Sequence, residues 1–442
     1  MHFNKSGFIL GFFCFVAVQT SAQVTSVSPF SRFGLGEIQS EAFAAGFGSG
    51  GLTQAFRSPR HLNIGNPASH ASNRLTSFEA GLSHNSYLQQ AGLNVEPNWN
   101  NRTNLGYMAV GIPLTKSWGL SASISPFAQT GFKSTLLENH PDFGEIEYLL
   151  NGAGSISRFT IGSGIQVFKG LSVGANANYV WGRRIQTSDV IFNSRNFFNF
   201  RTEDNLFIQG FTFDFGFQYV HHLNDRGLEL VLGGTYSPGA DLSQERILLD
   251  YTFARSQGVP IPRDTTSFFE DNTSSMGFPQ SMGLGFAIQR SHKELGIPIW
   301  MFSAEYRRRD WSTFSLPGSS ANFVAAERLA AGVSFIPILI KDSRGKRGNF
   351  FERMEYRAGF FQENSFIVID DFRVQDYGMT FGLGVPLNHK VFVGEEKYSK
   401  FTLSAALGTR GNLTNIGYRE RYALLLIGIS INDKWFNKFK YR

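Results

Sequence analysis

Three groupings in this sequence have residue types and spacing that could do chemistry. Gly46-x-Gly48-x-x-Gly51 spells a dinucleotide-phosphate turn. Such a turn works only after a buried strand and before a crossover helix, where glycines let the backbone approach a pyrophosphate. Here it lies in "AAGFGSGG" (44–51), with no such strand ahead of it. His221-His222 offers two imidazoles, but neighbours on a strand point to opposite faces and chelate a metal poorly. His84 and His140, with Ser and Asp residues elsewhere, leave a hydrolase triad open as a weak alternative; no Gly-x-Ser-x-Gly elbow accompanies them. The one cysteine, Cys14, is close to the N-terminus, so the rest of the chain has no thiol, disulfide or cysteine metal site. The sequence therefore assigns no catalytic residue, cofactor or metal. Net charge is +6 and spread along the chain, which gives no footprint for nucleic acid.

The elements that carry these residues are strands. "FTFDFGFQYV" (211–220) puts an aromatic at every second position, the period of a strand. Leu171 to Trp181, Trp300 to Tyr306, Tyr377 to Val385 and Ile427 to Ile431 repeat the pattern, opposite Gly, Ser, Thr and Asn. A soluble sandwich would show Lys and Glu on its polar face. A membrane barrel turns aromatics to lipid and small or polar residues to its lumen. Composition agrees with the barrel: 47 Gly, 45 Phe, charged residues at 17%, and no later apolar run long enough for a spanning helix.

Alternating segments fall near 76–88, 102–114, 117–132, 153–168, 171–187, 205–222, 227–240, 280–290, 298–311, 324–337, 354–363, 373–386, 398–410 and 419–432. The expected fold is all-β: a closed antiparallel transmembrane β-barrel of about fourteen strands over 76–432, an even number as single-chain bacterial barrels have. On this register Glu79, Arg158, Asp214, Glu305, Arg307, Arg328, Glu355 and Arg357 face the lumen, both signs present and able to pair.

The ends set the compartment. Lys5, the apolar run Gly7–Val18 and "QTSAQ" form a secretory signal peptide over 1–22, ending at Ala22. This predicts an outer-membrane location with both barrel termini in the periplasm. Turns such as 114–119 and 167–172 are then periplasmic and tight, while 133–152, 188–204 and 241–279 are long external loops. A basic turn, 341–350, is the periplasmic exception, and 433–442 is a basic, aromatic tail at the inner interface.

Residues 23–75 do not alternate and are rich in Gly, Ser and Ala. Asn66-Pro67-Ala68, just before "TSFEAGL", resembles the hatch motif of FadL-type barrels, the outer-membrane transporters of long-chain fatty acids and hydrocarbons. The resemblance implies fourteen strands, an N-terminal hatch or plug over 23–75, and a kinked third strand that opens the wall sideways. Pro126, inside the third strand, takes that last role by resemblance; proline gives no N–H to a ladder and marks a bulge or gap. The implied function is uptake of a hydrophobic small molecule, with Phe197, Phe198 and Phe200 as a capture surface. The alternative is a non-transporting barrel subunit of an outer-membrane secretion or assembly complex, which the basic turn, basic tail and longest loop would suit as docking surfaces. Expected partners are outer-membrane lipid and either that small molecule or other outer-membrane or periplasmic proteins.

Overall fold

Phe211, Phe213, Phe215, Phe217 and Tyr219 all face outward and are exposed, while Thr212 and Gln218 behind them are buried. The same division runs round the whole wall, so each strand shows a greasy side out and a small or polar side in. The computed structural model describes residues 28–193, 197–256, 259–293, 295–314, 323–338, 348–387 and 398–433. The expected signal peptide, most of the basic turn 341–350 and the tail beyond Asp433 lie outside the described residues.

After a two-residue inner strand, β1 (Glu37–Ile38), the wall begins with β2 (Thr76–Ala91), β3 (Asn98–Pro113), β4 (Trp118–His140), β5 (Gly144–Phe168), β6 (Leu171–Phe192) and β7 (Asn199–His222). The seventh wall strand is broken at Pro238 into β8 (Leu228–Ser237) and β9 (Ala240–Ser256); the eighth is β10 (Val259–Asp271), β11 (Ser275–Phe278) and β12 (Ser281–Ser291). Then come β13 (Pro298–Arg309), β14 (Ala326–Phe335), β15 (Glu355–Ile369), β16 (Phe372–Pro386), β17 (Tyr398–Asn412) and β18 (Tyr418–Asp433). Every neighbouring pair is antiparallel. The barrel closes where β18 pairs β2 along its length, from Tyr418↔Ala91 to Asp433↔Thr76. The wall is thus a closed antiparallel barrel of fourteen strands.

Three expected loops are corrected. Residues 133–152, 188–204 and 241–279 are mainly strand, not loop. β4 and β5 stay paired out to His140↔Gly144, and β9 pairs both β7 and β10 far beyond the rest of the rim. Above the lipid belt nothing requires an apolar outward face, so these extensions lose the alternation that marks the wall below.

Residues 28–75 run inside the ring. They form only β1, the short helix Ala44–Phe47 and two short 3-10 segments, Pro29–Arg32 and Pro67–Ser72. Burial holds them instead: Leu52, Thr53, Asn66, Ala68 and His70 have no solvent exposure. At the rim away from Thr76 and Asp433, Phe30 and Leu35 join wall residues and Trp311, Phe314, Phe323 and Phe366 in the largest apolar cluster. Trp311 stacks on Phe366 at 4.4 Å, which fills that mouth with side chains.

Candidate functional site: the lumen segment and the break beside it

Asn66 stands at the start of the Pro67–Ser72 turn with an extended backbone, φ −137° and ψ 106°. Pro67 sets its own φ and keeps Asn66 out of the helical region. Asn66 Oδ1 accepts from Ala68 N at 3.1 Å. Its Nδ2 donates to the carbonyls of Gln54 at 2.7 Å and of Phe217, on β7, at 3.1 Å. One side chain so joins two stretches of the lumen segment to the wall. The wall receives them with glycine. A β-carbon on Gly164 would stand 2.3 Å from the Pro67 oxygen, one on Gly174 2.5 Å from the Pro67 carbonyl carbon, and one on Gly216 2.2 Å from Asn66 Oδ1. β5, β6 and β7 each lack a side chain where the turn lies against them, because the backbone approaches too closely for one.

The eight lumen charges meet this segment. Glu79 accepts from Leu62 N at 2.9 Å and lies 3.6 Å from His61 Nδ1. Glu305 accepts from Thr53 N at 2.7 Å and Gln54 N at 2.9 Å. Arg328 donates to the Gly50 carbonyl at 3.0 Å. Arg158 and Arg307 reach Glu41 at 3.5 and 3.2 Å. Glu355 bonds Lys400 and Arg357, and all three gather round His61. Asp214 acts at one remove: it accepts from Asn176, whose Nδ2 also donates to the Ile64 carbonyl at 2.9 Å.

Other members were not singled out from sequence. Arg309 is a third cation on Glu41, at 2.9 Å. Arg410 bridges Glu37 and Asp376, each at 3.0 Å. Strand parity puts Arg309, Lys400, Asp376 and Arg410 on the lumen face beside residues that were named. Glu37 and Glu41 carry no such signal, because the segment they sit in has no period.

The electrostatics follow. Burial pushes the Glu41 carboxyl up, but Arg307, Arg309 and Arg158 together bring it down to about 2. Burial lowers His70 to about 4 and, helped by Lys400, also lowers His61. His70 is therefore a neutral ring, with Nε2 2.9 Å from Ser121 Oγ on β4. Ion pairs this enclosed hold position rather than add net stability, and losing one partner strands the other.

Beside the segment the wall is incomplete. The β3–β4 ladder runs only from Pro113↔Gly119 to Met108↔Ile124. Pro126 follows, and the β4–β5 register shifts between Pro126 and Ala128. β1 fills the place β3 has left: Glu37 pairs Gln129, Ile38 pairs Ala128, and Gln39 N donates to the Phe127 carbonyl at 2.9 Å. Behind this patch lies a cavity of about 240 Å³, lined by Pro126, Tyr107, Phe43, Glu41, Arg307 and Arg309 among others.

The remaining candidates are placed as follows. Phe197 packs with Phe143 and Phe192 at the tip of β5 and β6, Phe198 is exposed, and Phe200 is half-buried on β7. Gly46, Gly48 and Gly51 belong to the packed lumen segment: β-carbons at Gly46 and Gly48 would strike the Leu52 carbonyl and Ser404, and one at Gly51 would meet Arg328. His84 faces out beside Thr103, and His222 meets Glu229 at the end of β7. Among the described residues no group of three His, Cys, Asp or Glu could hold a metal.

A family model, BamG, matches residues 5–442. No curated protein sequence matches the chain. Its fold is similar to that of a Pseudomonas aeruginosa FadL homologue, at 11% identity and TM-score 0.56 over 90% of this chain and 99% of that one. It is also similar to the Ralstonia pickettii toluene transporter TbuX, at 14% and 0.57 over 89% and 99%. The P. putida toluene transporter TodX matches at 15% and 0.57 over 90% and 100%.

Proposed function

This chain belongs to the BamG family, with a FadL-like outer-membrane barrel, and we propose that it is a closed, non-transporting subunit of an outer-membrane assembly machine. The observation that carries this reading is the lock on the lumen. Charged or polar side chains from β2, β5, β13, β14, β15 and β17 hold residues 28–75, and Trp311 with its neighbours fills one mouth. The cavity beside the break, about 240 Å³, is smaller than ordinary ligand pockets of ~300–1,000 Å³ and is lined by Glu41, Arg307 and Arg309. An apolar solute would have to part buried ion pairs to cross. The family name, that of an assembly component, agrees. The hatch motif then serves as an anchor, and the outward aromatic wall meets outer-membrane lipid. The signal peptide would deliver the chain there, with both barrel ends periplasmic.

One observation favours a second reading, uptake of a hydrophobic small molecule. The break above Ile124 opens beside the cavity and next to Pro126, and similar folds include toluene transporters. Release of β1 from β4 would then be the gating step, and Phe198 part of the capture surface. The similar structures include toluene transporters, which supports a non-enzymatic role.

A tag inserted after Asp225, in the exposed β7–β8 turn at the rim of Thr76 and Asp433, leaves the tall rim and the C-terminus free. Extraction in mild detergent and intact-mass measurement should give the barrel with stoichiometric protein partners and no bound apolar ligand. A lone barrel carrying a stoichiometric apolar ligand would replace the subunit reading with the transport one.

A further inference from the structure

The tall side of the barrel ends in two unpaired strand edges. β4 to β7, β9 and β10 continue as one sheet past the rest of the rim, and its outer strands are β4 and β10. Among the described residues no strand pairs with Lys133–His140 on the side away from β5, nor with β10 on the side away from β9. Open edges invite another strand, and proteins blunt them with proline, bulges and charge. β10 has all three: Pro260, Pro262, Arg263, Asp264 and register shifts on both sides of Thr265. The β4 edge, "KSTLLENH", has no proline or bulge, one Lys and one Glu, and at its centre Leu136 and Leu137 are 64% and 61% exposed.

The same edge is already used for strand addition lower down. β1 pairs Ala128 and Gln129, Gln39 N reaches the Phe127 carbonyl, and Ser31 Oγ bonds both the N–H and the carbonyl of Gly131. The chain's own coverage stops there, one residue short of Phe132. We propose that Lys133–His140 continues this interface by accepting an extended segment of a partner protein as an added strand. The charge on the hairpin specifies the segment. From Ser134 to Leu150 it carries Glu138, Asp142, Glu145 and Glu147 and no Lys or Arg, and among the described residues only Glu147 has a cation beside it, Arg255 at 3.5 Å. The fitting partner strand sets one apolar side chain beside Leu136 on one face and another beside Leu137 on the opposite face, with Lys or Arg on either side of them and main-chain bonds supplying the affinity. This inference rests on the subunit reading and names one of its contacts.

Single cysteines test it, since the only native one is Cys14, here replaced by Ser. Thr135→Cys, Leu137→Cys and Asn139→Cys on β4, and Thr266→Cys on β10, are treated in native membranes with a short thiol-to-amine cross-linker. The expected result is one partner polypeptide, joined from all three β4 positions to lysines that run in order along one extended segment, and no product from Thr266→Cys. Successive N–H groups point alternately to β5 and away. One of Leu136→Pro and Leu137→Pro therefore removes an outward N–H, keeps the hairpin, and lowers the yield by ~10-fold, as loss of one or two ladder bonds predicts. Absence of product from β4, with protein partners still present by intact mass, overturns the edge and leaves the subunit reading standing. A product with a second copy of this chain also overturns it. A lone barrel by mass removes both.

Discussion

Asn66 and Gly216 occupy one space: Asn66 Oδ1 stands where a side chain on Gly216 would begin, 2.2 Å from its β-carbon position. The motif and the wall were therefore shaped for each other, although 150 residues of sequence separate Asn66 from the Phe217 carbonyl that it also bonds. Overpacking of a tight contact costs ~1–3 kcal/mol. Gly216→Val should accordingly loosen the Pro67–Ser72 turn without opening the barrel. Limited proteolysis of folded protein would then cut within 28–75 while heat-modifiable migration on gels stays normal. Unchanged protection would mean that the contact is slack.

Glu41 balances three arginines, so Glu41→Gln leaves them mutually repelling and buried. Removing one partner of such a group costs ~3–5 kcal/mol, and the loss should appear as a lower melting temperature with early exposure of the segment. Replacing Arg309 alone, as Arg309→Met, should cost less, because Arg158 and Arg307 remain.

Acid should release the segment in two stages. His70 is held down from 6.5 to about 4 by burial, so protons bind the unfolded form first, and its contribution is lost as pH falls from 6.5 towards 4. Glu41, lowered from 4.5 to about 2, stabilises fully above 4.5 and loses that contribution as pH falls towards 2. Each is worth about 3 kcal/mol at most. His70→Asn should remove the upper stage and Glu41→Gln the lower, read as segment protection against pH. If both variants titrate like the native chain, other groups control the acid response.

Gly36 precedes β1 with φ at 106°, and a β-carbon there would stand 2.5 Å from the Gln129 carbonyl oxygen. Gly36→Val cannot keep that backbone or that contact, so β1 should leave the β4 edge. In liposomes the native protein should admit no small lipid-impermeant dye and the variant should admit it through the opened break. Equal dye entry through both would favour the transport reading.

The barrel was legible because the membrane imposes a rule on every second residue. Phe211 to Tyr219 must satisfy lipid on one face, so strand positions, strand number and the inward side of Glu79, Arg158 or Glu305 follow from period two alone. The rule stops at the lipid boundary. β10, with Pro260 and Pro262 and nearly all its residues in solvent, looks like a loop in sequence because solvent accepts any pattern.

What tertiary structure alone decided is the use of the lumen. Parity says that Arg307 points inward but not that Glu41 will meet it, since residues 28–75 have no period and their path is set by wall glycines far along the chain. The gap beside Pro126 shows the same division. A single proline predicts that a ladder stops, through its missing N–H. Only the folded chain brings Glu37 and Ile38 to the open edge, because that pairing joins residues about ninety positions apart in a closure no local signal encodes.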